Sequence, residues 1–414
     1  AKEQDPALII AALDQCMAAL PKDKLKKVKF IGVCGQMHGI VLWKSNSGCE
    51  WQSKDGITRF SPKDVSQLIT WQDGRCDFDF LSALPKPDSH LSVATGFGCA
   101  TVFWYMKHRP EFLSGFSDAG TIQDYVVSML CSLDKCVMTG QNAASWGYFN
   151  TATNQWNTHI LKDAGFPVHL LPVLVDSGRV AGHTSCEWYG IPAHTAVGAA
   201  LGDFQCSVYS CIQRTRRYCV GYMNLYFQMA VEHFMCFKMP HYAFIVSSTV
   251  HVLYSKSKSF FYKGLGVFAG FCVSCFYINN ALLFYVTGLE VSESSIYSQL
   301  IHSALAQPNT DLTVTSTLLG ERHAPSSSAS VSHISSSNLS LGHVTRAVCR
   351  GIIENLATMM PPQSLRAAGV RCIIGSGSAL SCNAVLQQEV ERVFPFPVVY
   401  GKDVDSAVGV AMVI

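Results

Sequence analysis

Residues able to handle protons, hydroxyls and phosphates recur in short clusters along this chain. Gly202-Asp203-Phe204-Gln205 follows the apolar run Ala196–Leu201. An Asp directly behind a Gly turn, at the end of a buried element, is held rigidly at a cleft edge. There it can accept an alcohol proton, the acid–base task of phosphoryl transfer to a hydroxyl. The same Asp would serve equally as the cap of a following helix. Gln36-Met37-His38 sits between Gly35 and Gly39, where two apolar runs meet. Gln36 and His38 are suited to hydrogen-bond hydroxyls, with Met37 as an adaptable apolar wall. A histidine satisfied within a turn accounts for the triplet as well. Trp71-Gln72-Asp73 supplies an aromatic face, an amide and a carboxylate in succession. That trio suits a polyol, whose C–H face rests on a ring while its hydroxyls need donors and acceptors. A capped turn explains it equally, and Asp124-Tyr125 is ambiguous in the same way.

Two further clusters have phosphate chemistry. Gly375-Ser376-Gly377-Ser378 lies between a strand-like Val370–Ile374 and a helical pattern over Ser381–Val393. Glycines let backbone N–H groups approach a phosphate, and the helix start adds partial positive charge. Leu380 stands where the dinucleotide fingerprint has its third small residue, and no GxxxxGK[ST] occurs, so Rossmann dehydrogenases and P-loop NTPases lose ground. Gly320-Glu321-Arg322-His323 follows a strand-like Leu312–Leu319 and reads as a phosphate-side loop or a surface ion pair.

The elements that must position these groups are short and mixed. Ala1–Leu20 is helical, with Ile9, Ile10, Leu13, Met17 and Leu20 on one side. Val28–Val33 reads as a strand buried on both faces, Ile40–Trp43 as a second strand ended by the turn Ser45–Gly48, and Leu68–Trp71 as a third. Residues 91–140 are helical in pattern, and Val168–Val175 and Ala193–Leu201 are short apolar segments bounded by Pro or Gly. Ala324–Ser340 is Ser-rich, yet Val331, Ile334 and Leu339 recur through it, giving an ordered loop and strand. A helix spans His343–Met360, a strand Pro397–Tyr400, and Asp403 can cap a last helix through Val413.

Composition narrows the class. With 414 residues the chain is long enough for two domains, and a net charge of +2 gives no field for nucleic acid or an anionic membrane. The 17 irregularly spaced cysteines argue for reduced thiols in the cytoplasm or nucleus, with Cys272 and Cys275 read as packed thiols rather than a metal site. Ala1–Leu20, a charge-interrupted helix pattern, does not read as a signal peptide, and the chain opens without Met inside it, which reads as a piece of something longer. From about Gln213 to Lys263 the texture turns rich in Phe, Tyr, Met and Cys, and the 26 residues between Lys263 and Glu290 carry no charge. That span has the length of a membrane helix, but Asn279-Asn280 inside it favours a buried or unreliable stretch.

Taken in order, GQMHG, WQDGR, QDY, ALGDFQ, GERH, IGSGSAL and DVDSAVG resemble the FGGY family of carbohydrate kinases over residues 1–212 and 288–414. The wording of GQMHGIVLW, TWQDGRC, LGDFQCS, LGERH, SSSNLSLGHVTRA and IGSGSALS is most similar to members acting on sedoheptulose. The resemblance implies an α/β, two-domain actin-like (ribonuclease H-like) ATPase fold with an interdomain cleft. Residues 1–212 would form the sugar-binding domain, 213–287 a divergent start to the second, and 288–414 the nucleotide-binding domain. It makes Asp203 the base, and Gln36, Met37, His38, Trp71, Gln72 and Asp73 the ketose site. Gly320, Glu321, Arg322, Gly375, Ser376, Gly377 and Ser378 would approach ATP, with Asn383 near the adenosine. The implied reaction takes MgATP and sedoheptulose to ADP and sedoheptulose 7-phosphate in the cytoplasm, with ATP and Mg2+ required; xylulose or another ketose is the rival substrate.

Two departures from the family qualify this. Its opening Asp-Gly-Thr-Thr-like phosphate hairpin is not in this chain, and residues 213–263 hold neither its Asn/Ser/Thr-rich phosphate turn nor its Gly-Gly-Asn-like helix start. Because phosphoryl transfer depends chiefly on positioning and charge neutralisation, the expectation is impaired turnover. A catalytically dead sugar- or nucleotide-binding relative is the alternative.

Overall fold

The computed structural model describes residues 2–89, 92–215, 242–247, 250–253, 293–315, 328–367, 369–376, 378–400 and 406–413. The chain forms two compact units, residues 1–237 with 405–414, and residues 238–404. The Gly320–His323 loop, Gly377, Asp403, the Cys272/Cys275 pair and the charge-free span 264–289 lie outside the described residues, as does most of 213–287.

The first unit opens on α1 (Pro6–Ala18). Asp5 caps it by accepting from the Ala7 amide, and Pro6 takes the first turn, where a missing N–H costs nothing. Ile10 and Met17 are buried, Ile9 and Leu13 pack against the same core, and Leu20 is left exposed beyond the helix. The run Val28–Val33 is not the single doubly buried strand its apolarity suggests. Only β1 (Phe30–Ile31) forms within it, with Phe30 exposed, and β2 (Cys34–Gly35) starts just past its end. Lys29 needs water on one side and Gly32 offers no side chain to pack, so the run breaks.

Past the Gln-Met-His segment, β3 (Val41–Trp43) is buried throughout. Beside it lie β4 (Leu68–Ile69), reached through an Ile40–Ile69 bridge, and β5 (Asp118–Gly120), antiparallel to β3. Further strands include β6 (Val137–Thr139), β7 (Val173–Val175), β8 (Val180–His183), β9 (Ala196–Gly198) and β10 (Leu201–Gly202). β6 and β7 pair in parallel, β8–β9–β1 form a three-stranded sheet, and β10 lies parallel to β2. Three helices serve the site: α2 (Gly98–His108), α3 (Ile122–Cys131) and α4 (Asp203–Thr215). α3 starts in a reciprocal capping box, Thr121 with Asp124, and Tyr125 behind it meets Trp43 edge to face at 5.4 Å.

In the second unit, α5 (Glu293–Leu305), α6 (Leu341–Met359) and α7 (Ala384–Val393) accompany a sheet of order β12–β11–β15–β16. Its strands are β11 (Tyr242–Ser247), β12 (Val250–Leu253), β15 (Cys372–Ser376) and β16 (Val398–Tyr400), with only β12 antiparallel. A separate ribbon pairs β13 (Thr313–Thr315) with β14 (Ser330–Ser332). The Ser-rich stretch is thus ordered, but Val331, Ile334 and Leu339 are exposed rather than packed. The last helix, α8 (Ser406–Val413), belongs to the first unit. No helix among the described residues is long and apolar enough to cross a membrane.

One buried ion pair organises the second unit. Arg346 on α6 reaches Glu389 on α7 at 3.1 Å, both nearly inaccessible to water. Arg346 also donates to the carbonyls of Ala304 and Gln307 at the end of α5, and Arg392 bonds the other Glu389 oxygen at 2.7 Å. Removing one partner strands a buried charge, so Arg346→Met is expected to destabilise this unit by about 3–5 kcal/mol. Arg346→Met combined with Glu389→Leu should recover much of that loss. Urea unfolding of the two variants beside the parent measures both effects; equal losses would refute the pairing argument.

Candidate active site

The two most informative sequence clusters meet because β2 and β10 pair in parallel, Cys34 opposite Leu201 and Gly35 opposite Gly202. Gln36-Met37-His38 leaves one strand end and Asp203 the other. The join is tight: a β-carbon on Gly202 would stand 2.8 Å from the Met37 sulfur and 2.1 Å from the Gln205 amide oxygen. A side chain at 202 would have to push the Met37 and Gln205 side chains aside. Met37 is buried and Gln36 exposed.

His38 is buried and has φ 72°, a left-handed conformation that is costly for any residue with a side chain. Its surroundings impose that conformation. The His38 amide donates to the Ser145 hydroxyl at 3.2 Å, its Nδ1 lies 2.7 Å from the Ser145 carbonyl oxygen, and its ring stacks on Phe97 at 4.8 Å. A carbonyl only accepts, so Nδ1 carries a proton. Trp146 fastens the same turn by donating from Nε1 to the Gly39 carbonyl at 3.1 Å.

Trp71 joins this group through Gly96, at φ 78°, whose β-carbon would fall 2.2 Å from the Trp71 carbonyl oxygen. Trp71 is half-buried and Gln72 exposed. Asp73 is buried and fully engaged: Arg75 Nε donates to it at 2.6 Å, the Arg75 amide at 3.0 Å and the Lys2 amide at 2.6 Å. Burial alone would push its carboxyl up, but those bonds outweigh it and hold the group below its ordinary value. Arg75 in turn lies over the Trp104 and Tyr105 rings. Asp73 therefore ties the loop together.

Asp203 opens α4. Its Oδ1 accepts from the adjacent Phe204 amide at 2.7 Å. Burial raises its carboxyl to about 6, with the backbone amides of Phe204 and Asp203 opposing. Both amide atoms of Gln205 are buried without a hydrogen-bond partner among the described residues, a state costing about 1–3 kcal/mol.

A polar lattice beneath the strands holds them in register. Gln123 donates to the Gly35 carbonyl at 3.1 Å, while Thr139 and Asn142 donate to that of Ala200 at 2.9 and 3.3 Å. Asn142 also reaches Asp124, whose burial lifts its carboxyl to about 7 against the opposing bonds from Thr121 and Asn142. Asp124 and Tyr125 are thus accounted for by packing and capping. Sequence reasoning passed over Phe97, Ser145 and Trp146. Only Gly96-Phe97-Gly98, an aromatic between glycines, carried a readable signal.

In the second unit, β15 runs into the short helix Ser378–Ser381 through Gly375 and Ser376. A β-carbon on Gly375 would meet Leu380 at 2.8 Å and the Tyr400 ring at 2.9 Å, so this glycine makes room for packing. Asn383 caps α7, accepting from the Val385 and Leu386 amides at 3.0 and 3.1 Å. Among the described residues, no group of three or more His, Cys, Asp and Glu side chains is arranged to hold a metal ion.

Residues 1–210 match the N-terminal domain of the FGGY family of carbohydrate kinases. A human sedoheptulokinase is 52% identical over 100% of this chain and 86% of its own length, and a mouse sedoheptulokinase 51% identical over the same shares. The crystal structure of xylulose kinase from Rhodospirillum rubrum superposes with a TM-score of 0.67 at 17% identity, covering 99% of this chain and 80% of that one. This likeness shows the fold, the two-domain actin-like ATPase architecture expected from the motifs.

The buried Asp124 makes a testable contribution to stability. Folding raises its carboxyl from about 4 to about 7. Between those values the folded chain keeps a proton that the unfolded chain has released. The stability it lends is complete below about pH 4 and is lost as pH rises to 7, a change on the order of 4 kcal/mol. Asp124→Asn should flatten the stability–pH curve over that window. Urea midpoints of variant and parent at half-unit pH steps check this; parallel curves would contradict it.

Proposed function

This chain belongs to the FGGY family of carbohydrate kinases, and from that premise we propose that it transfers the γ-phosphoryl group of ATP to sedoheptulose, giving sedoheptulose 7-phosphate and ADP. Support for the sugar comes from the two sedoheptulokinases, half identical along the whole chain. The observation that supports the mechanism is the β2–β10 pairing, with Met37 packed against Gly202 next to Asp203.

In this reading Asp203 is the base. A carboxyl with a value near 6 is ionised at neutral pH yet more basic than an ordinary aspartate, so it suits removal of a hydroxyl proton as the phosphorus–oxygen bond forms. His38, whose Nδ1 faces the Ser145 carbonyl and whose ring stacks on Phe97, is the proposed sugar-orienting residue. Met37 and the Trp71 ring supply apolar walls. Asp73 acts indirectly, by holding the loop that presents Trp71 and Gln72. Gly375, Ser376, Gly377, Ser378, Asn383 and the Gly320–Arg322 loop remain the proposed nucleotide-side groups. Magnesium enters with the nucleotide as MgATP, part of the substrate. The twelve cysteines whose side chains are described are free thiols, which fits a cytoplasmic location. Nothing in the described residues points to impaired turnover.

Release of ADP in a coupled assay with sedoheptulose, and with xylulose as competitor, tests the substrate. Asp203→Asn should lower kcat by about 10^2–10^4-fold. In the parent, kcat/KM should fall with decreasing pH on a limb centred at about 6, because protonated Asp203 accepts nothing. A variant that keeps the parent kcat would remove Asp203 from the base role. His38→Ala should instead raise KM for the sugar, by about tenfold for one lost polar contact, with a smaller change in kcat.

A further inference from the structure

The chain's last helix returns to the turn that carries Asp203. At Gly409, α8 and α4 touch backbone to backbone: a β-carbon there would stand 1.8 Å from the Cys206 carbonyl oxygen and 2.3 Å from its carbonyl carbon. Cys206 is three residues beyond Asp203, hence on the same side of the helix and within its first turn. Val410 is buried in one cluster with Leu201 and Cys206, and Cys34 and Val413 pack against it. Cys34 also donates from its sulfur to the Ser406 carbonyl at 3.5 Å. α8 therefore contacts β2, β10 and the first turn of α4 together.

We propose that Gly409 is a positioning residue for the transfer reaction: its bare Cα lets α8 seat against α4 and hold Asp203, the base assigned above, in place at the end of the β2–β10 pair. Any side chain at 409 must displace α8 or tilt α4. Either movement shifts the carboxylate and admits water around it. α8 carries no ionisable residue, so it acts through burial and position. Among the described residues, the Cys206 thiol on α4 interacts with the Asp203 carboxylate, and the Cys34 thiol on β2 interacts in turn with Cys206.

The test is Gly409→Ala in the full chain, assayed beside Asp203→Asn. A misplacement of this kind should lower kcat by about tenfold or more while KM for sedoheptulose stays within about threefold. The acid limb of kcat/KM should move below that of the parent as the carboxylate regains water. Labelling of Cys206 by N-ethylmaleimide, read by mass spectrometry, should accelerate. A purely structural role would reduce the amount of folded enzyme without moving the acid limb. If Gly409→Ala does not fold, Val410→Ala loosens the same seam without inserting an atom and should shift the limb the same way by less. Soluble variants with the parent kcat and acid limb, or with reduced kcat on an unmoved limb, overturn the proposal. If Asp203→Asn itself retains activity, the base assignment fails instead, which separates the two outcomes.

Discussion

Two residues of parallel pairing, Cys34–Gly35 against Leu201–Gly202, are the constraint on which the rest of the site depends. So short a ladder is weak alone, and the surrounding structure supplies what it lacks. Side chains from α3 and the Gly140–Ala144 turn hold the carbonyls of Gly35 and Ala200 from below. Leu201 and Cys34 are covered by residues of α8. Because side-chain direction alternates along a strand, a slip of one residue would turn both segments away from each other. Fixing this register therefore fixes the spacing of the sugar-side and proton-accepting groups at once.

Above the pair, the structure stores strain and offsets it locally. His38 adopts a left-handed backbone, and two contacts to Ser145, a stacked Phe97 and a Trp146 bond to Gly39 hold it there. Each is modest, about 1 kcal/mol for a neutral hydrogen bond, yet together they exceed the cost of one strained residue. Such rigidity suits a group meant to orient a hydroxyl. Asp73 shows the opposite economy of design: a carboxylate in a sugar-like motif whose acceptors are already taken by Arg75 and Lys2. The second unit repeats that theme, since Arg346 and Glu389 join three helices through one desolvated pair.

Much of this was legible without coordinates. The order of the motifs carried the α/β fold and the family, since seven short patterns in sequence are a far stronger signal than any one alone. Helices with a clear 3.6-residue stripe, such as α1, α6 and α7, fell within a few residues of their expected bounds. Strands fared worse. Val28–Val33 looked like one buried strand by apolarity, but only Phe30–Ile31 pairs as strand within it and Phe30 is exposed. Val331, Ile334 and Leu339 looked like packing residues and stand in water.

What the sequence determined by itself was chemical identity: which residues can accept a proton, stack on a sugar or bend a turn, and in what order they come. What only the tertiary structure decided was which of them are free to act. Asp73 and Asp203 are the same residue type behind similar turns, yet the first is tied to an arginine and the second is buried with a raised carboxyl value. Phe97, Ser145 and Gly409 gained their places from contacts between segments far apart in the chain. Packing and desolvation depend on such neighbours, and a linear pattern does not encode them. The Gln-Met-His triplet could announce a site, but the paired strand and the helix folded back upon it determine what stands beside it.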